Sequence, residues 1–316
     1  MTDPAEPRVA VDVGGGLRLR NPVIAASGTF GYGLEFAGVT DLRALGAIVV
    51  KGLSLEPNRG HPAPRIVETP AGMLNAIGLQ NIGVRAFIES KLPQLRAFGT
   101  PIVANCWGHE PEEFGEVAAR LSDAEGLAAI EINISCPNKR EWGRIIATDL
   151  ELTRKVVRLV RTRCRLPMWV KLSPNVTDIA SFARVAEEEG ADAISLINTL
   201  LGMAVDLERR RPALTNVTGG LSGPAIKPVA LRMVHEVARA VGIPVIGMGG
   251  IGSGDDALEF LLVGARAVQV GTASFTDPCA TERIAAEVTA GLRRRGCRDI
   301  DDWIGSLDGV PTPRFS

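Results

Sequence analysis

The fold is decided by residues 130–138, which read Ile130-Glu-Ile-Asn-Ile-Ser-Cys-Pro-Asn138. Apolar residues alternate along the first part of this stretch, which predicts a strand with one face packed into a core. Pro137 cannot continue a central strand, so the strand ends where Asn133, Ser135 and Cys136 crowd together. Parallel α/β folds place reactive groups at the carboxyl ends of strands, but a free cysteine is equally often a small buried hydrophobe. This stretch by itself leaves both roles of Cys136 open.

Composition and charge narrow the class of protein. The 316 residues are 46% hydrophobic with a formal net charge of −1, so no overall field attracts nucleic acid or an anionic membrane. The five cysteines form no CxxC pair, which argues against a metal site or an iron–sulfur cluster in this chain and fits a reducing compartment. No stretch approaches about 18 uninterrupted apolar residues, and the N-terminal residues lack the apolar run of a signal peptide. We therefore expect a cytoplasmic protein.

Strand-then-helix units extend from this stretch in both directions. The strands begin near residues 22, 47, 101, 128, 168, 193, 244 and 266. Helices are predicted near 34–45, 83–98, 111–124, 149–164, 177–189, 225–241 and 254–263, before a terminal helix. Eight such units predict a (β/α)8 TIM barrel that forms one domain over residues 1–316. A doubly wound open sheet is the alternative, which is disfavoured because no composition break or linker divides the chain.

Two further segments are expected outside the barrel. The segment from Val9 to Leu19 alternates around three glycines, which predicts an N-terminal β-hairpin that caps one end. Residues 53–81 form a long irregular stretch rich in Pro, Gly and Asn, and such long connections are usually functional or disordered. This one is too amide-rich and apolar for a flexible linker. We therefore expect inserted loops folded over the carboxyl-end face.

Almost every predicted strand ends in residues that form hydrogen bonds or carry charge. The ends are Ser27, Lys51, Asn105, Asn133 with Cys136, Lys171, Asn198 with Thr199, Gly249-Gly250 and Gly271-Thr272. A strand-end Asn alone is usually a turn residue, and a single Lys usually points to solvent. In a barrel, however, these ends form one ring around the mouth. The ring as a whole predicts a functional site.

The last two units predict a phosphate site. Glycine-rich residues 247–255 open a helix, and Gln269-Val-Gly-Thr-Ala273 precedes another. Backbone N–H groups at helix N-termini favour a phosphate dianion, and barrels usually bind phosphate after strands seven and eight. A phosphate site, inward lysines and several amides together suggest FMN. Lys171 is placed to stabilise negative charge on the reduced ring.

Several motifs identify a resemblance that covers nearly the whole chain. The chain resembles dihydroorotate dehydrogenases of the soluble class. The motifs are Asn133-Ile-Ser-Cys-Pro-Asn138, Asn75-Ala-Ile-Gly-Leu-Gln-Asn81, Val170-Lys-Leu-Ser-Pro174, Ile197-Asn-Thr199, Thr218-Gly-Gly-Leu-Ser-Gly-Pro224 and Gly249-Gly-Ile-Gly252. Residues 68–74 and 201–206 are most similar to the NAD-linked subclass, class 1B, whose catalytic chain pairs with an FAD- and iron–sulfur-containing electron-transfer subunit.

The resemblance implies a reaction and a set of residue roles. Dihydroorotate is oxidised to orotate in pyrimidine biosynthesis: Cys136 takes a proton from C5, C6 gives hydride to FMN, and electrons pass to NAD through the partner. Substrate-binding residues are implied to be Lys51, Asn75, Ala76, Ile77, Gly78, Leu79, Asn133, Asn198 and Thr199. FMN-binding residues are implied to be Ser27, Lys51, Gly52, Asn105, Asn133, Lys171 and Ile197, with Gly223, Gly249, Gly250, Gly271 and Thr272 at the phosphate. A homodimer within a heterotetramer is expected.

Two departures from the family pattern affect the expected substrate site. Cys106-Trp107 stands where small residues are expected, and Trp142 and Arg144 stand in a loop that is usually glycine-rich. Two other enzymes are therefore kept open, a dihydropyrimidine dehydrogenase-like flavoprotein and a fumarate-linked dihydroorotate dehydrogenase. A barrel that has lost its chemistry and serves as a binding subunit is the alternative from another class.

Overall fold

Eight parallel strands close into a barrel in the computed structural model, which describes residues 6–135 and 146–309. The strands are β1 (Val23–Ala25), β2 (Ala47–Val49), β3 (Ile102–Cys106), β4 (Ala129–Asn133), β5 (Met168–Lys171), β6 (Ala193–Leu196), β7 (Val245–Met248) and β8 (Ala267–Val270). Each strand pairs with the next along the chain, and β8 pairs with β1. The predicted TIM barrel is confirmed, and the open sheet is excluded.

The barrel strands are buried on both faces. Helices cover the outer face and side chains fill the inner one, so the strands read as nearly continuous apolar runs. Directly paired residues share a face, and the pairs include Asn105 with Glu131 and Lys171 with both Asn133 and Ser195. Polar side chains therefore form a layer inside the barrel, near the carboxyl ends of its strands.

Helices follow seven of the eight strands, close to the predicted positions. They are Val84–Ala86 continued by a π-helical turn Phe87–Lys91 and by Leu92–Arg96, then Pro111–Ser122, Leu150–Arg163, Ile179–Glu188, Lys227–Ala238, Gly254–Leu262 and Ala280–Arg294. The last one is flanked by short helices Ala273–Thr276 and Ile300–Trp303, where one terminal helix was predicted. Among the described residues, no helix combines the length and apolar character needed to cross a membrane.

The helix predicted near 34–45 is wrong. The segment forms two short 3₁₀ turns instead, Leu34–Phe36 and Leu42–Ala44. A glycine and two β-branched residues separate the turns and disfavour a continuous helix. The Thr40 hydroxyl also donates a hydrogen bond to the Glu282 carboxylate at 2.8 Å, which ties this segment to the last long helix.

The excursion over the carboxyl-end face is folded, as predicted, and part of it is regular. Strands Ile66–Thr69 and Gly72–Asn75 join Leu200–Met203 and Thr218–Ser222 in a four-stranded antiparallel sheet. These strands could not be predicted from the sequence because they contain glycines, and glycine disfavours β-sheets. Glycine is required at position 220, since a Cβ there would lie 2.0 Å from Oγ1 of Thr199.

The predicted N-terminal hairpin is confirmed and closes the opposite end of the barrel. Its strands are Val11–Asp12 and Arg18–Leu19. A Cβ at Gly14 would lie 2.0 Å from the Asp192 carbonyl oxygen, directly before β6. The hairpin therefore packs against the amino ends of the strands and leaves the carboxyl ends to the site.

Candidate active site

Four of the predicted flavin-binding side chains meet at the mouth of the barrel. Nζ of Lys171 donates to Oγ of Ser27 at 3.3 Å, which links β5 to the end of β1. Nδ2 of Asn133 donates to Oδ1 of Asn105 at 3.4 Å, which links β4 to β3. Lys171 is only 4% exposed. Its ammonium group is therefore buried at the barrel mouth, where it is suited to a ring that accumulates negative charge.

A second cluster contains the predicted substrate-binding amides. Oδ1 of Asn133 accepts a 2.8 Å hydrogen bond from Oγ of Ser135, and Nδ2 of Asn198 donates to the same hydroxyl oxygen at 2.8 Å. Asn198 in turn accepts from the backbone N–H of Thr199 at 2.8 Å. Ser135 thus fixes the two amides relative to each other. The sequence marked Ser135 only as part of a polar strand end, so its bridging role was missed.

The four-stranded sheet brings Asn75 to the same place. Nδ2 of Asn75 donates to the carbonyl oxygen of Gly220 at 3.4 Å, and Gly220 lies against Thr199. Residues 76–79 that follow are held by their backbone: the Ala76 N–H donates to Arg65, and the Ile77 carbonyl accepts from the backbone N–H of His61. This segment is therefore preorganised beside the barrel mouth.

Lys51 supplies a second positive charge at the mouth. It follows β2, and its ammonium group makes no hydrogen bond or ion pair with the described residues. Burial, and then the nearby Arg65 guanidinium, lower the pKa of Lys51 below its ordinary 10.5. The Glu35 carboxylate opposes this shift but forms no ion pair with Lys51 among the described residues. A partly buried cation without a direct ion pair favours an anionic ligand. Gly52 next to it leaves room for the Asn105 amide, since a Cβ there would lie 2.8 Å from Oδ1 of Asn105.

Glycines from three loops form a cradle suited to a phosphate. A Cβ at Gly250 would lie 2.9 Å from the Gly223 carbonyl oxygen, and Thr272 donates to Oγ of Ser222 at 2.8 Å. The backbone N–H groups of Gly249, Gly250 and Thr272 have no acceptor among the described residues. Unpaired N–H groups on neighbouring glycine-rich loops fit a phosphate group.

The N-terminus of helix Gly254–Leu262 does not contribute as predicted. Asp256 accepts the N–H groups of Gly252 and Ser253 at 3.0 and 2.9 Å, and Glu287 accepts that of Gly254 at 2.6 Å. Two carboxylates therefore already satisfy these donors and repel an added anion. The cradle is formed by the loop before this helix.

The remaining predicted residues fall in two groups. Ile197 is 2% exposed and lies against Gly249, and Gly271 lies beside Ala26, so both border the cradle. Cys136 and residues 139–144 lie outside the described residues. In the ranges 6–135 and 146–309, no group of three His, Cys, Asp or Glu side chains is arranged to hold a metal ion.

Three polar residues inside the barrel were missed by the sequence analysis. Glu131, Ser195 and Gln269 are each at most 1% exposed. They alternate with apolar residues in their strands, a pattern typical of a strand with one solvated face. The signal that identifies them as interior is the closure of the barrel, which buries both faces.

Comparison with known proteins agrees with this architecture. The model of the family described as dihydroorotate dehydrogenase matches residues 10–292. A protein of Citrifermentans bemidjiense, named dihydroorotate dehydrogenase B (NAD(+)), catalytic subunit, is 60% identical over 93% of this chain and 96% of its own. Proteins of the same name from Trichlorobacter lovleyi and Geobacter sulfurreducens are 58% and 57% identical over 96% of this chain, and over 100% and 99% of their own. The chain therefore belongs to the dihydroorotate dehydrogenase family.

Proposed function

We propose that this chain is the catalytic subunit of an NAD-linked dihydroorotate dehydrogenase, which oxidises dihydroorotate to orotate in pyrimidine biosynthesis. The observation that carries the proposal is that two lysines, Lys51 and Lys171, follow or end barrel strands at the same face as the linked amides of Asn133 and Asn198. The names of the relatives, which are similar over nearly the full chain, support the same reaction.

The described residues fit FMN. The free N–H groups of Gly249, Gly250 and Thr272 suit its phosphate, and the buried ammonium of Lys171 suits the ring. When bound, FMN supplies the two-electron acceptor for the reaction. Lys171, anchored by Ser27, stabilises the negative charge that accumulates on reduction.

The substrate is oriented by its charge and its amide edges. Lys51 attracts the carboxylate, while Asn75, Asn133, Asn198 and Thr199, with the segment Ala76 to Leu79, bind the pyrimidine ring. Cys136 takes the proton from C5 as hydride leaves C6, so one C–H bond breaks at each carbon and the C5=C6 double bond of orotate forms. Mutual positioning of the amides through Ser135 keeps the ring in one orientation.

Binding of orotate should weaken at alkaline pH because of Lys51. Its pKa is lowered from 10.5, and a bound carboxylate raises it again, so binding is linked to protonation. The affinity should be constant below the lowered pKa and fall about tenfold per pH unit above it. Flavin-absorbance titrations of orotate across the alkaline range measure this. Lys51→Gln is the control, and it should bind weakly at every pH; a wild-type affinity that stays constant past pH 10.5 would contradict the role of Lys51.

Gly250→Ala should abolish FMN retention. A Cβ at Gly250 would lie 2.8 Å from Cβ of Lys227 and 2.9 Å from the Gly223 carbonyl oxygen, so it displaces the cradle. Gly99→Ala is the matched control, because Gly99 has a similar positive φ, +68° against +77°, but nothing within 4 Å of an added Cβ. Both variants carry backbone strain of roughly 1–2 kcal/mol. Equal flavin content in the two purified variants would argue against the cradle.

We infer a homodimer that docks with an FAD- and iron–sulfur-containing electron-transfer subunit. Leu201, Met203, Val205 and Leu207 are between 52% and 81% exposed on and beside the four-stranded sheet. Acidic Glu208 adjoins basic residues in the same stretch, which would allow two copies related by a two-fold axis to pair opposite charges around this apolar surface. Double replacement of Leu201 and Met203 by Asp should halve the mass in light scattering; an unchanged dimer would place the interface elsewhere.

One assay tests the proposed function against its closest alternative. The purified chain should be yellow and contain FMN, and dihydroorotate should reduce the flavin far faster than dihydrouracil, which lacks the carboxylate that Lys51 attracts. Preference for dihydrouracil would favour the dihydropyrimidine dehydrogenase-like enzyme. Folded protein that takes up no FMN would contradict the proposal. We also assign residues 1–316 to one FMN-binding domain, and a cytoplasmic location remains a prediction.

A further inference from the structure

A carboxylate lies inside the barrel, next to the proposed flavin site. Glu131 is 0% exposed and precedes Asn133 by two residues in β4, so the two side chains share the interior face. Burial of a charged group is costly unless hydrogen bonds and an opposite charge compensate. Replacing a buried ion pair with apolar residues is often neutral or stabilising. Stability alone therefore does not account for Glu131.

Three side chains from other strands donate hydrogen bonds to this carboxylate. Nδ2 of Asn105 lies 2.7 Å from Oε1, while Oγ of Ser195 and Nε2 of Gln269 lie 2.9 and 2.7 Å from Oε2 of Glu131. Nζ of Lys171 is 3.7 Å from Oε1. Each contact places a donor at the carboxyl group, which suits the ionised form because that form only accepts.

The carboxylate also fixes how the two amides are oriented. Because Asn105 gives its Nδ2 to Glu131, its Oδ1 is left to accept from Asn133 at 3.4 Å. Gln269 likewise gives its Nε2, and its Oε1 is a buried acceptor without a partner among the described residues. A neutral amide at position 131 would present one donor and one acceptor, and either neighbour would then be free to flip.

Glu131 is moreover the counter-charge of Lys171. The buried ammonium group lies between Oγ of Ser27 at 3.3 Å and Oε1 of Glu131 at 3.7 Å. Charges this close interact strongly in the interior, where water screens them little. The charge of Glu131 therefore partly offsets the electrostatic effect of Lys171 on a bound ring.

We propose that Glu131 is a positioning residue: it anchors Lys171, orients the amides of Asn105 and Gln269, and lowers the electron affinity of the flavin by offsetting the charge of Lys171. The inference rests on the proposed FMN site. It requires that removal of the charge at position 131 makes the bound flavin easier to reduce. A residue with only a structural role would loosen the site without a change in that direction.

Sulfite is a suitable probe because it adds reversibly to oxidised flavin and leaves negative charge on the ring. Its dissociation constant therefore reports the local charge without turnover. In FMN-loaded Glu131→Gln, sulfite should bind on the order of tenfold more tightly than in the wild type, and the flavin midpoint potential should be more positive. Glu131→Asp keeps the charge, so both quantities should stay closer to the wild-type values.

A second comparison covers the case in which Glu131→Gln does not fold because Lys171 loses its counter-ion. Lys171→Gln is compared with the double variant Lys171→Gln/Glu131→Gln. The two proteins differ only in the charge at position 131. Sulfite should bind more tightly to the double variant. Equal or weaker binding in FMN-loaded protein lacking the Glu131 charge overturns this inference alone. Wild-type protein that binds no FMN overturns the proposed function and this inference with it.

Discussion

Replacing Cys136 with alanine is expected to slow reduction of the bound flavin by dihydroorotate by about 10²- to 10⁴-fold, the usual contribution of a general base. FMN content and orotate affinity should change little, because the other predicted contacts remain. Stopped-flow absorbance under anaerobic conditions measures the rate. Cys106 is no substitute base, since burial raises the pKa of its thiol.

Two further variants control this result. Cys136→Ser should retain FMN and orotate binding but reduce flavin slowly and only at higher pH, because a hydroxyl ionises far less readily than a thiol, whose ordinary pKa is about 8.5. Cys297→Ala removes a thiol that donates to the Asp299 carbonyl near the end of the described chain, and should leave the rate unchanged. Wild-type rates in Cys136→Ala would refute the assignment of the base.

The isolated chain is expected to oxidise dihydroorotate with a redox dye but to show almost no turnover with NAD. The one GxGxxG string of the sequence, residues 247–252 at the junction of β7 and helix Gly254–Leu262, lies in the proposed phosphate cradle for FMN, so no second such unit remains for NAD. The sequence also has no cysteine cluster for an iron–sulfur relay. We expect that a mouth that holds a pyrimidine against FMN does not accommodate a nicotinamide at the same time. Electrons should therefore reach NAD only after the electron-transfer subunit is added.

Steady-state turnover of the isolated chain with NAD, fumarate and a dye tests this directly. The dye reaction serves as the control, because it shows that the chain is active without its partner. Rapid NAD reduction by this chain alone would contradict the two-subunit assignment. Brisk fumarate reduction would instead place the protein in the fumarate-linked subclass.

The barrel could be predicted because its strands are short apolar runs separated by amphipathic helices. The sheet over the mouth could not, because its strands carry glycine at positions such as Gly219 and Gly220, where close packing excludes a Cβ. The segment 34–45 was wrongly predicted as a helix because its composition is typical of one. Hydrogen bonds from Thr40 and Asp41 to Glu282 instead hold it as two short turns.

The site residues at the strand ends could be predicted because they are polar residues that follow apolar runs. The polar residues inside the barrel were harder to predict. Lys171, Asn105 and Asn133 stand out because they end apolar runs. Glu131 does not, since an acid that alternates with isoleucines usually faces solvent. The closed barrel buries it, and the hydrogen bonds from Asn105, Ser195 and Gln269 mark it as an interior group.

An anaerobic titration of the FMN-loaded chain with dihydroorotate tests the central claim most directly. The visible absorbance of the oxidised flavin is followed as substrate is added, and orotate is quantified at the end. The account predicts bleaching that is complete near one equivalent per flavin, with orotate formed in the same amount. Flavin that dithionite bleaches but dihydroorotate leaves oxidised would contradict it.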